Sequence, residues 1–294
     1  MPETDSDSTL DEVFGAVADE TRLAILRALW EERTAGEGRD RDPVSFSTLR
    51  DAVGVKDSGR FNYHLDQLVP NFVHDAEDGY RLTYAGRRII GAAVSGAYTD
   101  TGTELEATPV GPCSDPECDG EIAARYGAGT VSVECDTCDA ESAISAPPIL
   151  VGAHDPAKDP DVLDRFVLTV IQKTIRGFCR LCSGPMEARV ARGELDGWHD
   201  EGVTVVHECQ ECGSTSYTPA VATVIDHPAV VSLLHDAGID YRDGLLWRET
   251  DAFDWEESVV DEDPVRVAVT IRAGGEELVV TLDGTLDVVE YGDE

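Results

Sequence analysis

Hydrophobic positions in the first hundred residues recur at helical spacing, with small polar residues between the runs. Leu10, Val13, Phe14 and Val17 fall three and four apart, and Thr9 and Glu12 have the spacing of a capping box. Asp19 stands where its carboxylate can accept the orphan amides of a second helix carrying Leu23, Leu26, Leu29 and Trp30. A loop rich in Gly and charge, about residues 34–43, precedes a short third helix. Ser47 opens it, Leu49, Ala52 and Val53 face inward, and Gly54 closes it. Asp57 or Ser58 caps a fourth helix with Phe61, Leu65 and Leu68 inward, and Pro70 ends it. The period then changes: residues 72–74 and 80–83 read as short strands around the turn signal Asp78-Gly79. A helix through Ile89, Ile90 and Val94 closes the unit. Two short helices joined by Gly54-Val55-Lys56 and followed by a hairpin predict a helix-turn-helix with a wing.

The remaining two thirds is patterned differently. Residues 99–112 read as a linker with Thr, Gly and Pro. One strongly apolar helix is predicted over residues 161–176, through Val162, Leu163, Phe166, Val167, Val170 and Ile171, and is assigned to core rather than to a dimer interface. A strand-like run follows over 217–225 and a helix over 228–237, and the acidic run 256–263 reads as a solvated loop. Alternating Val265, Val267, Val269 and Ile271, then Gly274-Gly275, then Leu278, Val280 and Leu282 predict a β-meander ending near Tyr291. The expected class is α+β. Residues 1–98 form a winged helix-turn-helix, 99–150 a first zinc-ribbon-like module, 151–178 a connecting helix, and 179–294 a second such module with a C-terminal α/β region.

Eight cysteines supply the clearest chemistry. Cys113 and Cys118 enclose four residues, Cys135 and Cys138 two, and sixteen separate these pairs. Cys179 and Cys182, then Cys209 and Cys212, each enclose two, with twenty-six between the pairs. Two such knuckles facing each other present four thiolates to one tetrahedral ion, so two zinc ions per chain are expected. Gly120, Gly184 and Gly213 lie just past knuckles, where a left-handed turn is wanted. The ligand count also admits an iron–sulfur cluster, and isolated pairs could form disulfides, although no βαβ context surrounds them. His207 lies two residues before Cys209 within reach of a metal, but four thiolates already suffice.

Charge narrows the setting. The net charge is −36, and only 3 of the 23 basic residues are Lys. Such self-repulsion weakens a compact state in dilute buffer but is screened at 1 M salt, where the Debye length is ~3 Å. Acidic surfaces poor in Lys resemble those of proteins from salt-accumulating microbes, haloarchaea above all. No apolar run approaches the ~18 residues that span a bilayer, and the acidic start is unlike a secretory leader, so a cytoplasmic location with no membrane partner is expected. Residues 43–90 hold six basic and six acidic residues, a neutral stretch in an acidic chain.

That stretch also carries a family signature. The run Ala18-Asp19-Glu20-Thr21-Arg22-Leu23, the run Asn62-Tyr63-His64-Leu65 and the run Tyr80-Arg81-Leu82-Thr83-Tyr84 resemble, in order, the second helix, recognition helix and wing exit of ArsR-like regulators. The resemblance covers about residues 8–97 and implies a sequence-specific regulator bound to double-stranded DNA as a homodimer. The residues expected to meet DNA are Arg50, Lys56, Ser58, Arg60, Asn62, Tyr63, His64 and Arg81, with packing under the wing as the equal alternative for His64. Arg can grip guanine edges, Asn can pair with adenine, and Ser or Tyr can hold phosphate. The third helix lacks the Cys motif of the family's metal sensors, which argues against that mechanism. Enzymatic activity is not expected, since no phosphate-binding Gly loop, nucleophile elbow or open metal site is visible. The alternatives are a protein-interaction scaffold and a redox- or metal-responsive regulator. The acidic surroundings of the cysteines point that half toward protein contacts or ligand sensing.

Overall fold

A computed structural model describes residues 6–35, 43–99, 102–113, 118–138, 140–156, 158–159, 161–191, 203–242 and 253–292. The chain divides into two compact units, Met1–Asp100 and Thr101–Glu294. Trp198, His199 and Trp247, and most of the loop expected at 34–43, lie outside the described residues.

The first unit runs α1 (Ser6–Val17), α2 (Glu20–Ala35), α3 (Phe46–Val53), α4 (Ser58–Asp66), β1 (Val73–Ala76), β2 (Gly79–Leu82) and α5 (Tyr84–Val94). Three helix starts are fixed by side-chain caps: Ser45 accepts the Thr48 amide, Asp57 that of Arg60, and Thr83 that of Gly86. The cap of α3 is therefore Ser45 rather than Ser47, and α1 begins ahead of Thr9, so the capping box expected there lies inside the helix. Gly54 ends α3 at φ 75, a left-handed conformation that suits glycine. Ile25, Leu26, Leu49, Phe61, Leu65 and Phe72 are fully or almost fully buried and hold the helices together. Two backbone hydrogen bonds between Val44 and Tyr80 add a third extended segment beside β2. A Cβ on Gly79 would stand 2.4 Å from the Val44 carbonyl oxygen, so this close approach requires glycine.

Among the described residues, the second unit contains three antiparallel sheets. β3 (Leu105–Pro112), β4 (Glu121–Gly127), β5 (Thr130–Cys135) and β6 (Glu141–Ser145) form a meander. β7 (Met186–Ala191), β8 (Thr204–Cys209) and β9 (Thr215–Pro219) form a second, and β10 (Phe253–Glu262), β11 (Val265–Ala273), β12 (Glu276–Asp283) and β13 (Val288–Gly292) a third. Between them lie α6 (Ile149–His154), α7 (Asp161–Ile175), α8 (Ala220–Val224) and α9 (Pro228–Asp236). The N-terminal half of α7 buries Val162 and Leu163 among Ala124, Tyr126 and Val131 of the first sheet. Its Leu168 joins the larger core of Val205, Val221, Leu234, Val269 and Val280.

Three sequence expectations are corrected. The linker over 99–112 contains β3, an edge strand whose register breaks around Pro109 and so tolerates the proline. The strand-like run 217–225 splits into the end of β9 and α8. The residues Ala220, Val221, Ala222 and Val224 are all buried, which erases the periodicity separating helix from strand. The acidic run 256–263 belongs largely to β10: Asp254 and Glu256 point outward to Arg272, and Glu257 occupies an inward position that an apolar residue would normally take.

Candidate metal centres and nucleic-acid interface

Each four-cysteine group joins two loops at one end of a sheet. In the first, Cys113 and Cys118 lie between β3 and β4 and face Cys135, the last residue of β5, and Cys138 in the turn that follows it. The sulfurs of Cys113 and Cys138 are 3.6 Å apart, and those of Cys118 and Cys135 3.7 Å. In the second, Cys179 and Cys182 precede β7, Cys209 ends β8, and Cys212 lies in the turn before β9. Cys179 and Cys212 are 3.7 Å apart, Cys182 and Cys209 3.5 Å. All four sulfurs of each group lie within 4.8 Å of one another. A disulfide requires ~2.05 Å, and all eight cysteines are free. A tetrahedral ion with ~2.3 Å metal–sulfur bonds requires sulfurs ~3.8 Å apart. The donor sets fit such an ion.

Backbone amides favour the thiolate at every sulfur they reach, while neighbouring thiols and burial oppose it, so that Cys118 and Cys212 are raised and Cys182 is pushed up to about 12. Gly120 and Thr137 amides donate to Cys118 and Cys135 Sγ, each at 3.4 Å. Leu181 and Gly184 amides donate to Cys179 and Cys182 Sγ at 3.4 and 3.3 Å. Amides of Cys138 and Thr137 hold the Cys135 thiol down to about 7. Burial opposes ionisation of Cys179, yet the Cys182 and Leu181 amides bring it down to about 6. The glycines act in two ways. Gly213 takes the left-handed turn at φ 69, and Ser183 takes the matching turn at φ 62. Gly120 and Gly184 are instead needed for close approach. An added Cβ would stand 2.6 Å from Cys135 Sγ at Gly120 and 2.8 Å from Glu211 Cγ at Gly184. His207 is no ligand: it is buried, its Nε2 lies 2.9 Å from Thr218 Oγ1, and burial lowers its pKa to about 4.

In the first unit, α4 and the turn before it present Lys56, Ser58, Arg60, Asn62 and Tyr63 to solvent, opposite the buried Phe61 and Leu65. Among the described residues no carboxylate pairs with Lys56 or Arg60, whereas the Asn62 amide donates to Asp66 at 2.8 Å. Arg81 is exposed on β2 opposite His74. Arg50 is half-buried and paired with Asp51 at 3.1 Å. His64 is not with the exposed set. It is 8% exposed, and its Nδ1 lies 3.3 Å from Asp19 Oδ1. Asp19 caps α2 by accepting the Arg22 amide at 3.0 Å, and that bond, with the facing His64, holds its carboxyl below the usual range.

Sequence reading missed this pairing of two motif residues and the role of Glu257. The buried Glu257 carboxylate accepts the Val203 amide at 3.1 Å and the Val221 amide at 2.7 Å, tying β8 and α8 to β10. Its neighbours in an acidic run hid it; the inward alternation from Phe253 through Trp255 was the available signal.

These observations define an α+β protein with several antiparallel sheets and two four-cysteine groups suited to metal ions. The chain belongs to the family described as Domain of unknown function (DUF7351), which matches residues 111–288 and contains all eight cysteines. Residues 10–93 match a second family, described as Domain of unknown function (DUF7347). No curated protein and no solved structure matches the chain. No helix among the described residues is long and apolar enough to cross a membrane.

Proposed function

We propose that the chain is a sequence-specific, DNA-binding transcription regulator whose first unit is a winged helix-turn-helix and whose second carries two structural zinc ions. The carrying observation is the two-sidedness of α4. Its inner face is fixed by Phe61, His64 and Leu65, while Lys56, Ser58, Arg60 and Tyr63 stand outward at its first turns. A recognition helix meets the major groove with those turns. Arg81 on the hairpin suits a flanking phosphate. Exposed Phe14, Leu23, Val94 and Tyr98 on α1, α2 and the end of α5 support a homodimer built on these helices. In molar salt counterion release contributes less, so base contacts at Arg60 and Asn62 carry more of the affinity. Four thiolates leave a zinc ion no open position, which favours a structural role over catalysis.

Binding of the purified, zinc-loaded protein to its own promoter region in molar KCl tests this reading. Arg60→Ala with Asn62→Ala is expected to weaken operator binding at least tenfold, from ~1–3 kcal/mol per base contact. Retention of full affinity and regulation by that folded double variant would favour a protein-interaction scaffold. Elemental analysis is expected to give two zinc per chain; iron with visible colour would reject the metal assignment.

A further inference from the structure

The second four-cysteine module contains a local inversion of the chain's charge. Residues 165–191 hold five basic residues, Arg165, Lys173, Arg176, Arg180 and Arg189, against one acidic residue, Glu187, in a chain of net charge −36. Two of these cations are spent on ion pairs: Arg165 with Asp159 at 2.8 Å and Arg176 with Asp226 at 2.6 Å. Among the described residues no carboxylate pairs with Lys173 or Arg180. The Lys173 ammonium instead donates to the Ser183 hydroxyl at 3.1 Å and the Arg180 carbonyl at 3.4 Å, which places its charge on the knuckle of Cys179 and Cys182.

The same knuckle exposes two large apolar side chains, Phe178 at 55% and Leu181 at 60%. Their backbone is held firmly. The Phe178 amide donates to the Lys173 carbonyl, Phe178 bridges Pro185, and the Leu181 amide donates to Cys179 Sγ. An exposed aromatic side chain on a firmly held backbone, in the same knuckle as cations that no carboxylate neutralises, is suited to a base stacked on the ring with its phosphate on a cation. A duplex site engages roughly six to ten phosphates; two free cations fall short of that, whereas one or two unpaired nucleotides need no more. Acids around the module include Glu187 and Glu208, facing each other across β7 and β8, Glu211 beside Gly184, and Asp226, which Arg176 neutralises. At molar salt their repulsion is confined to ~3 Å, while stacking is preserved.

We propose that the Cys179–Cys182 knuckle binds single-stranded nucleic acid, with Phe178 as the stacking platform and Arg180 and Lys173 as phosphate contacts. This site is independent of α4. It also departs from the expectation that acidic surroundings keep this half away from nucleic acid: the average charge of the region conceals the sign at the knuckle.

The test is fluorescence anisotropy of the full, zinc-loaded chain with labelled 15-nucleotide oligo(dT), oligo(U) and a 15-base-pair duplex of random sequence, from 0.3 to 2 M KCl. Oligo(dT) and oligo(U) are expected to bind, their ratio distinguishing DNA from RNA as the natural source. Phe178→Ala is expected to weaken single-strand binding about tenfold, with Phe178→Trp restoring it. Arg180→Ala should make the slope of log K against log salt shallower by about 0.7, the value for one phosphate on a single strand. Arg60→Ala should leave this binding unchanged, so failure of the α4 reading and failure of this one are separable. Zinc content and thermal midpoint verify that each variant is folded. The proposal is overturned if no single strand binds at any salt, if the random duplex binds better, or if folded Phe178→Ala and Arg180→Ala bind like the parent.

Discussion

The two four-cysteine groups share a donor set and differ in what surrounds it. The first caps a small sheet whose core is Ala124, Tyr126, Val131 and Ala146 with Leu150, Val162 and Leu163 from two helices. The second sits on a sheet continuous with the largest apolar cluster of the chain, from Val203 and Val205 through α8 and α9 to Leu282. Exposure differs as well. In the first, Cys113 is buried and the other three cysteines are half-buried; in the second, Cys179 and Cys209 are buried while Cys182 and Cys212 are open to solvent. A tetrahedral ion held by these sulfurs would therefore do different work in the two places, standing in for a small core at the first and ordering a knuckle on a larger packed body at the second.

The sharpest way to break this contrast is to remove one ligand from each group. Cys113→Ser is expected to abolish amide-exchange protection across β3–β6, because structural zinc supplies ~10–16 kcal/mol of binding energy to such modules. Cys209→Ser should leave α9 and β11–β12 protected and lose only the knuckles. Each variant should retain one metal by elemental analysis. Equal loss in both would show that the larger core does not stand alone.

A smaller effect is expected at Glu257, which belongs to the second body. Glu257→Ala orphans two buried amides and should lower stability by about 3 kcal/mol, with no change in metal retention at the first group. Burial raises the Glu257 carboxyl above its ordinary 4.5, although the Val221 and Val203 amides oppose this. The folded state then binds more protons than the unfolded state in the window just above 4.5, so stability contributed here falls as pH rises through it. Denaturant titrations from pH 4.5 upward should show that slope in the parent and lose it in Glu257→Gln.

The mildest test is chemical. Limited alkylation of the metal-loaded protein, read by peptide mass spectrometry, should label Cys182 and Cys212 before any cysteine of the first group. The reverse order would mean that solvent exposure does not govern exchange.

Much of this was legible in the sequence. The helices of the first unit announce themselves through Leu26, Leu49 and Leu65 at helical spacing, and Asp19 and Asp57 were readable as caps. The cysteine spacing placed both groups. What escaped has a common physical cause: long-range partners override local pattern. β3 exists because β4 pairs with it, despite Pro109 and Gly111. β10 admits an inward Glu257 because backbone amides from two other elements meet it. His64 has helix-surface neighbours in sequence, yet its side chain turns toward a residue at the start of α2.

That last contact constrains how α4 can change. His64 faces Asp19 across 3.3 Å, so α4 is held against the entry of α2 as well as by Phe61 and Leu65 beneath it and by the Asp57 cap before it. New side chains at 56, 58, 60, 62 or 63 are thereby displayed from an unaltered axis. Divergence of the displayed surface can proceed one residue at a time while the buried face of Phe61, His64 and Leu65 is kept.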